Sequence, residues 1–322
     1  MHAGAGGWCG STGSPERSRP SSTIQLNRID PKTDRVTRYR HNPNDPKSLP
    51  SNQLSSAVEE DGSGRLWFSA NGEGLIRFDP ETETFTSYRH DPANVSSLSD
   101  NTISSSGLLV SQDGALWVGT NNNGLNRFDP TTETFTRFNL TLDSAVPAQA
   151  AVSHLYEDSR GYIWGGLFSL SERKYTALFR LDPKTASVET YRHDPDDAHS
   201  FFPPRFIRVL HERAQEPGVL WIAAWGVLSR LDTRTGQFKH YWERNGLKDQ
   251  ILYGMLEDEE GRLWMSANGS LSMFDPDTET FRNYDFSDGL QASEFNDFFL
   301  FQEPTHGRDV LRGCQRHHRL FP

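Results

Sequence analysis

The sequence predicts an all-β fold, a β-propeller of about seven four-stranded blades with incomplete first and last blades; about six is the alternative count. Three observations carry that expectation. A stretch typified by Asp113 to Phe138, DGALWVGTNNNGLNRFDPTTETFTRF, recurs along the chain. Its landmarks are evenly spaced. Asp30, Asp79, Asp129, Asp182, Asp232 and Asp275 lie 49, 50, 53, 50 and 43 residues apart, and Trp67, Trp117, Trp164, Trp221 and Trp264 lie 50, 47, 57 and 43 apart. Composition agrees: of 322 residues 34% are hydrophobic, which is low, and 11% aromatic, which is high. That balance suits many short, half-exposed strands better than stacked helices.

Within the repeat, an Asp-Gly turn precedes an apolar run holding the Trp, and a small polar loop closes on Gly124. A second run ends in Asp-Pro-x-Thr, where the Asp side chain caps the turn and Pro presets φ. The alternating Thr134 to Phe138 follows, with Thr outward and aromatics inward. A strand before the Asp-Gly turn makes four. The Trp supplies the large flat area needed between neighbouring sheets. A single sheet of this kind cannot bury both faces, so several must stack.

The copies run in order. The first is LNRIDPKTDRVTRY, Leu26 to Tyr39, followed by the loop HNPNDPKSLPSN and the strand-like LSSAVEED, Leu54 to Asp61. The second is Gly64 to Tyr88. After the third, the fourth carries an insertion around SLSERKYTA and reaches Tyr191. The fifth ends at Tyr241 and the sixth at Tyr284, and a seventh begins at GLQASEFNDFFLFQEP. The expected domains are thus a Gly/Ser-rich segment 1–25, a propeller 26–303 and a basic tail 304–322.

Composition also excludes classes. A net charge of −10 argues against nucleic acid or an anionic membrane as partner. No apolar run approaches the ~20 residues of a membrane span, and no apolar core marks a signal peptide. The two cysteines, Cys9 and Cys314, lie one in each terminal segment and imply neither a metal site nor a disulfide framework.

With LWVGTNNNGLNRFDPTTETFTRF in view, the chain resembles the two-component regulator propeller repeat, found in the sensor region of hybrid sensor histidine kinases. The resemblance covers roughly 26–303, and SLPSNQLSS and GLQASEFN also look like that family. It implies a periplasmic or extracytoplasmic ligand-sensing module without its own catalysis or cofactor, and a small-molecule or carbohydrate ligand. It further implies downstream β-sandwich, membrane-helix and sensor-kinase modules, of which this chain would be a fragment. No kinase ATP-site motif or phospho-accepting His context is present. A propeller lyase resembling streptogramin lyase and a protein-interaction scaffold are the alternatives.

Propellers bind ligands where loops and first strands converge on one axial face. Aligning the entry to each first strand brings Asn52, Asn101, Gln149, Arg205, Asp249 and Glu294 to one position. All are polar, and the aromatics Phe201, Phe202, Tyr253 and Phe295 are near them in sequence. Such a set suits a hydroxyl-rich ligand, although each residue also reads as a strand-entry side chain facing water. His154, in SHLYED, would face the channel as an acid or base or as a lining residue. Trp225 and Trp242 break the repeat and serve either stacking or packing. His41, His90 and His193 share a Tyr-Arg-His-(Asn/Asp)-Pro loop and are expected to be structural. The Asp-rich EEDGSG and EDEEG lack EF-hand spacing and are expected to be turns. No catalytic set or metal site is expected.

The tail THGRDVLRGCQRHHRLFP departs from the resemblance. Codons for Gly307 to Pro322 can be chosen so that a one-nucleotide shift reads GEMFYGGVNGITGFFP, the strand-loop-strand the resemblance implies there. A frameshift is therefore expected, and the first 25 residues are expected to be out of frame as well. Missing final strands would leave unpaired edges and poor solubility. Resequencing the locus checks this: a shifted frame is the expected result, and an intact frame encoding CQRHHRLFP contradicts it.

Overall fold

The computed structural model describes residues 7–10, 26–29, 33, 35–55, 58–138, 140, 150–290, 300–303, 308–312 and 317–319. Among them the only helices are two 3-10 turns, Glu243–Asn245 and Phe286–Asp288. The strands form seven antiparallel sheets in which chain neighbours pair. Five sheets have four strands. The third, for example, runs Ile103–Val110, Leu116–Thr120, Leu125–Asp129 and Thr134–Phe138. The first (Gly7–Gly10, Leu26–Ile29, Val36–Tyr39) and the seventh (Leu300–Glu303, Arg308–Arg312, His317–Arg319) have three. The four-stranded repeat expected from the sequence is therefore present. Of Leu54 to Asp61, the described residues show strand at Glu59–Glu60 and a bridge from Leu54 to Ala70.

Contacts divide the chain into two compact units, Met1–Leu142 with Ala148–Ser153, and Asp143–Pro147 with His154–Pro322. In the first unit Trp67, 2% exposed, packs 5.1 Å from Phe128 of the next sheet, among Leu75, Leu98, Leu116 and Val118. In the second, Trp221 packs 5.4 Å from Phe274, with Tyr241, Leu252 and Met265 around them. In both units Trp thus lies between neighbouring sheets.

A carboxylate sets three of the repeat tryptophans in place. The Asp61 Oδ1 accepts the backbone N–H groups of Ser63 (2.9 Å) and Arg65 (3.1 Å), and its Oδ2 accepts the Trp67 indole N–H at 2.7 Å. Asp158 does the same for Arg160, Tyr162 and Trp164, and Asp258 for Glu260, Arg262 and Trp264. So EEDGSG and EDEEG are turns, and each also holds a tryptophan. Two copies differ. Ser111 stands six residues before Trp117, and Gln215 six before Trp221, whose indole N–H has no partner among the described residues.

The four Asp-Pro turns, and the Asp232-Thr233 turn at the equivalent position, cap as expected. The Oδ1 of Asp79, Asp129, Asp182, Asp232 and Asp275 accepts the N–H two residues on. The residue four after each Asp is left-handed: Glu83 (φ 53°), Glu133 (53°), Ala186 (57°), Gly236 (75°) and Glu279 (55°). A side chain there costs about 1–2 kcal/mol. The three glutamates offset that cost by reaching the preceding sheet. Glu83 accepts from the Tyr39 hydroxyl (3.1 Å), Glu133 from Tyr88 and Arg77 (2.8 Å each), and Glu279 from Tyr241 (2.9 Å) and Lys239.

Removing a carboxylate that serves both turn and Trp strands several buried donors. Asp158 is 1% exposed, so Asp158→Ala is expected to destabilise the second unit by about 3 kcal/mol. Denaturant unfolding followed by tryptophan fluorescence measures it. A loss below about 0.5 kcal/mol, the usual effect of a neutral surface change, would contradict this role.

Candidate functional site

The loops that lead into the first strands dictate where the entry residues point. In the first loop the His41 Nδ1 donates to the Leu49 carbonyl at 2.8 Å, and the His41 backbone N–H donates to the Asn52 Oδ1 at 2.8 Å. The second loop repeats both bonds at 2.7 Å, from His90 to Leu98 O and to the Asn101 Oδ1. His41 and His90 are therefore structural. Asn52 and Asn101 occupy equivalent places, but each commits its side-chain carbonyl to the loop.

The other entry residues are less uniform. Gln149, Glu294 and Phe295 lie outside the described residues. Arg205 is exposed, and the residue after it, Phe206, accepts the Trp225 N–H (2.9 Å) as Thr102 accepts that of Asn121 (2.9 Å). Counted from the loop, however, Pro204 is the match. Its carbonyl takes the Tyr175 N–H at 3.0 Å, as that of Asn101 takes the Gly74 N–H at 3.1 Å. Arg205 is thus one residue inserted at the entry after Pro203-Pro204. The position assigned to Asp249 needs correcting by one. Asp249 accepts from the Ser270 hydroxyl (2.7 Å), as Asp100 accepts from Asn122 (2.7 Å), and Gln250 takes the Asn101 role by accepting the Gly226 N–H (2.6 Å).

In the second unit the first strands carry bulges. Register shifts between Ile207 and Val209, opposite Ala224 and Ala223, which leaves Arg208 as the extra residue. The same shift between Leu252 and Gly254 leaves Tyr253. A bulge re-aims the side chain it carries. Arg208 stands over Phe206 (5.3 Å to the ring centroid) and Trp225 (5.7 Å), whose own rings are 4.5 Å apart. Phe206 stacks on Phe168 (6.1 Å, 21°), and Phe168 meets Tyr175 at 5.1 Å. The Tyr175 hydroxyl completes the group with a 2.7 Å bond to the His154 Nδ1. Tyr253 turns elsewhere and packs with Trp264 and Leu271. Phe201, expected near the ligand, is 2% exposed and belongs to the core with Phe238 and Tyr191.

The structure therefore gathers His154 and Trp225, which the sequence singled out, with Arg208, which it did not. The signal was present: aligning FIRVLHER with ILYGMLED sets Arg208 opposite Tyr253. His154 is left-handed (φ 54°) in the first strand of its sheet. Burial, and then the Arg208 charge, push its imidazole down to about 3. It is neutral at physiological pH, so an acid–base role is replaced by a positioning one. The group offers one cation, aromatic faces, a hydroxyl and a neutral imidazole, which can bind and orient a ligand. Among the described residues no three His, Cys, Asp or Glu side chains gather as metal ligands, and no helix is long and apolar enough to cross a membrane.

No protein-family model and no curated protein matches the sequence. Solved structures do match the fold. The extracellular domain of the hybrid two-component system BT3049 from B. thetaiotaomicron is 18% identical, with a TM-score of 0.66, and the chain is covered to 90%. This chain spans only 36% of that domain's length. The Dos1 propeller is 15% identical at a TM-score of 0.58, covering 94% of this chain and 74% of its own. YCF48 bound to the D1 peptide is 10% identical at 0.59, covering 90% and 82%. The fold is that of a β-propeller, as the repeat predicts.

The depressed imidazole has a signed consequence. Charging His154 favours the unfolded chain, so its contribution to stability is complete above about pH 6.5 and is lost on acidification toward about 3. Its ring signals in an NMR titration are expected not to move between about pH 8 and 5. A midpoint near 6.5 would contradict the buried placement.

Proposed function

We propose that the chain is the ligand-sensing propeller of a two-component regulator, working outside the cytoplasmic membrane without catalysis of its own. It would bind a small hydroxyl-rich molecule or oligosaccharide on the face where the first strands begin, the axial face of a propeller. Binding would bias the geometry of downstream kinase modules. One observation carries the ligand part: the bulged Arg208 held over Phe206 and Trp225, with the inserted Arg205 exposed at the same strand entry. Aromatic faces suit the C–H side of a sugar ring, and a guanidinium donates in pairs to its oxygens. The sensor part is supported by the repeat resemblance and by the fold shared with the BT3049 extracellular domain.

No observation favours the lyase reading, which would ask His154 to exchange a proton near neutral pH. The test is a glycan array on the full chain, followed by calorimetry on the hits. Arg208→Ala and Trp225→Ala are each expected to weaken binding about tenfold or more, a loss of about 1.4 kcal/mol. Unchanged affinity in both variants, or no binding to any glycan, would overturn the ligand assignment.

A further inference from the structure

We propose that a second site, opened by departures from the repeat between the fourth and fifth sheets, binds a sugar that carries a carboxylate. This site is separate from the Arg208 group and does not depend on it.

The third sheet shows the closed form. There Arg137, on the fourth strand, lies across the preceding loop. Its Nε donates to Ser97 O (3.0 Å), and its Nη2 to Asn94 O (3.2 Å), the Ser97 Oγ (3.0 Å) and Leu98 O (3.2 Å). The fifth sheet places His240 at the same position. The match is exact in hydrogen bonding, because Phe238 N–H donates to His199 O as Phe135 N–H donates to Ser96 O, both at 2.8 Å. His240 reaches only Ser200 O with its Nε2 (2.9 Å), and its Nδ1 bonds the Ser229 hydroxyl (2.8 Å). The shorter side chain leaves a pocket of about 380 Å³ where the arginine would lie, open to solvent and lined by His193, His199, Phe202, His240, Trp242 and Arg244.

Each wall departs from the repeat. His41 and His90 tie their rings to Leu49 O and Leu98 O, but His193 makes no such bond among the described residues, and Phe201-Phe202-Pro203-Pro204 stands where Leu-x-x-Asn closes those two loops. Its imidazole is exposed. His199 donates its Nδ1 to Phe238 O (3.1 Å), which leaves Nε2 toward the pocket. Trp242 follows the last Tyr of the strand, where Arg40, Arg89 and Arg192 follow theirs. It meets Phe202 at 4.6 Å and 89°, an aromatic corner. Arg244 is exposed and makes no ion pair among the described residues, while Lys239 is held by Glu279. Two acids also line the pocket, each with one oxygen turned to the backbone: the Asp194 Oδ1 accepts Asp196 N–H and the Asp197 Oδ1 accepts His199 N–H.

These groups define a ligand class. The aromatic corner takes the C–H face of a pyranose ring, the imidazoles bond hydroxyls, and the Arg244 fork suits a carboxylate bound through both oxygens. The pocket is near the small end of ligand sites, room for one or two sugar units.

Calorimetry on the full chain with D-galacturonate and D-glucuronate tests the assignment, with D-glucose and benzoate as comparators. A uronate is expected to bind at least about tenfold tighter than either comparator. Arg244→Ala and Trp242→Ala are expected to weaken it by a similar factor. His240→Arg restores the closed form and is expected to abolish binding with no loss of melting temperature, which separates site closure from misfolding. The proposal is overturned if the wild-type chain binds no uronate, or if benzoate binds as well. It is equally overturned if His240→Arg binds like wild type, or if Arg244→Ala and Trp242→Ala both do.

Discussion

One device organises three of the four-stranded sheets: an aspartate caps the turn before the Trp strand with one oxygen and holds the indole N–H with the other. Asp61, Asp158 and Asp258 each do both. Burial alone would raise the carboxyl of Asp61, yet the donors around it, Ser63 and Trp67 first, hold it below the usual carboxylate range; Asp258 is held down by Trp264 and Arg262. The bond matters because a buried indole N–H without an acceptor is costly, so the ring has one favoured pose. That pose presents the flat face to the next sheet. Where the acceptor is missing, at Trp221, packing against Tyr241 and Phe274 still fixes the ring.

A second device links sheet to sheet. The left-handed glutamate of three Asp-Pro turns (Glu83, Glu133 and Glu279) accepts the hydroxyl that ends the preceding sheet, and burial together with that carboxylate raises Tyr88 and Tyr241 well above the ordinary phenol range. The device is not everywhere: Gly236 stands beside Tyr191, Phe138 has no hydroxyl, and Ala186 has no carboxylate. The scaffold is thus built from repeated pairs, and both candidate sites lie at positions that vary from copy to copy. Arg208 occupies a bulge, and His240 stands where Arg137 would close the loop.

Much of this was legible in the sequence. Alternation, capped Asp turns and Trp spacing follow from local chemistry that repeats; the structure carries them in every four-stranded sheet, with Asp232-Thr233 in place of Asp-Pro in the fifth. The sites were legible only in part, for physical reasons. A side-chain period of two marks the faces of a strand but not a bulge, which adds one residue and resets the phase; hence Arg208 was missed and Asp249 was placed one residue from Gln250. Residue type also does not say where an amide points. Asn52 and Asn101 look like ligand groups, but a nearby backbone N–H claims each carbonyl. His154 looks like an acid–base group, and burial beside Arg208 makes it a neutral one.

The central claim is that repeated residues build the scaffold and residues that vary among the copies bind. Amide hydrogen exchange of the full chain, with and without a saturating glycan identified by array, tests it most directly. Added protection is predicted at 205–208 and 225, or at 193–202 and 242–244, with the Asp-Pro turns at 79–83, 129–133 and 275–279 unchanged. Protection confined to those turns would contradict the account.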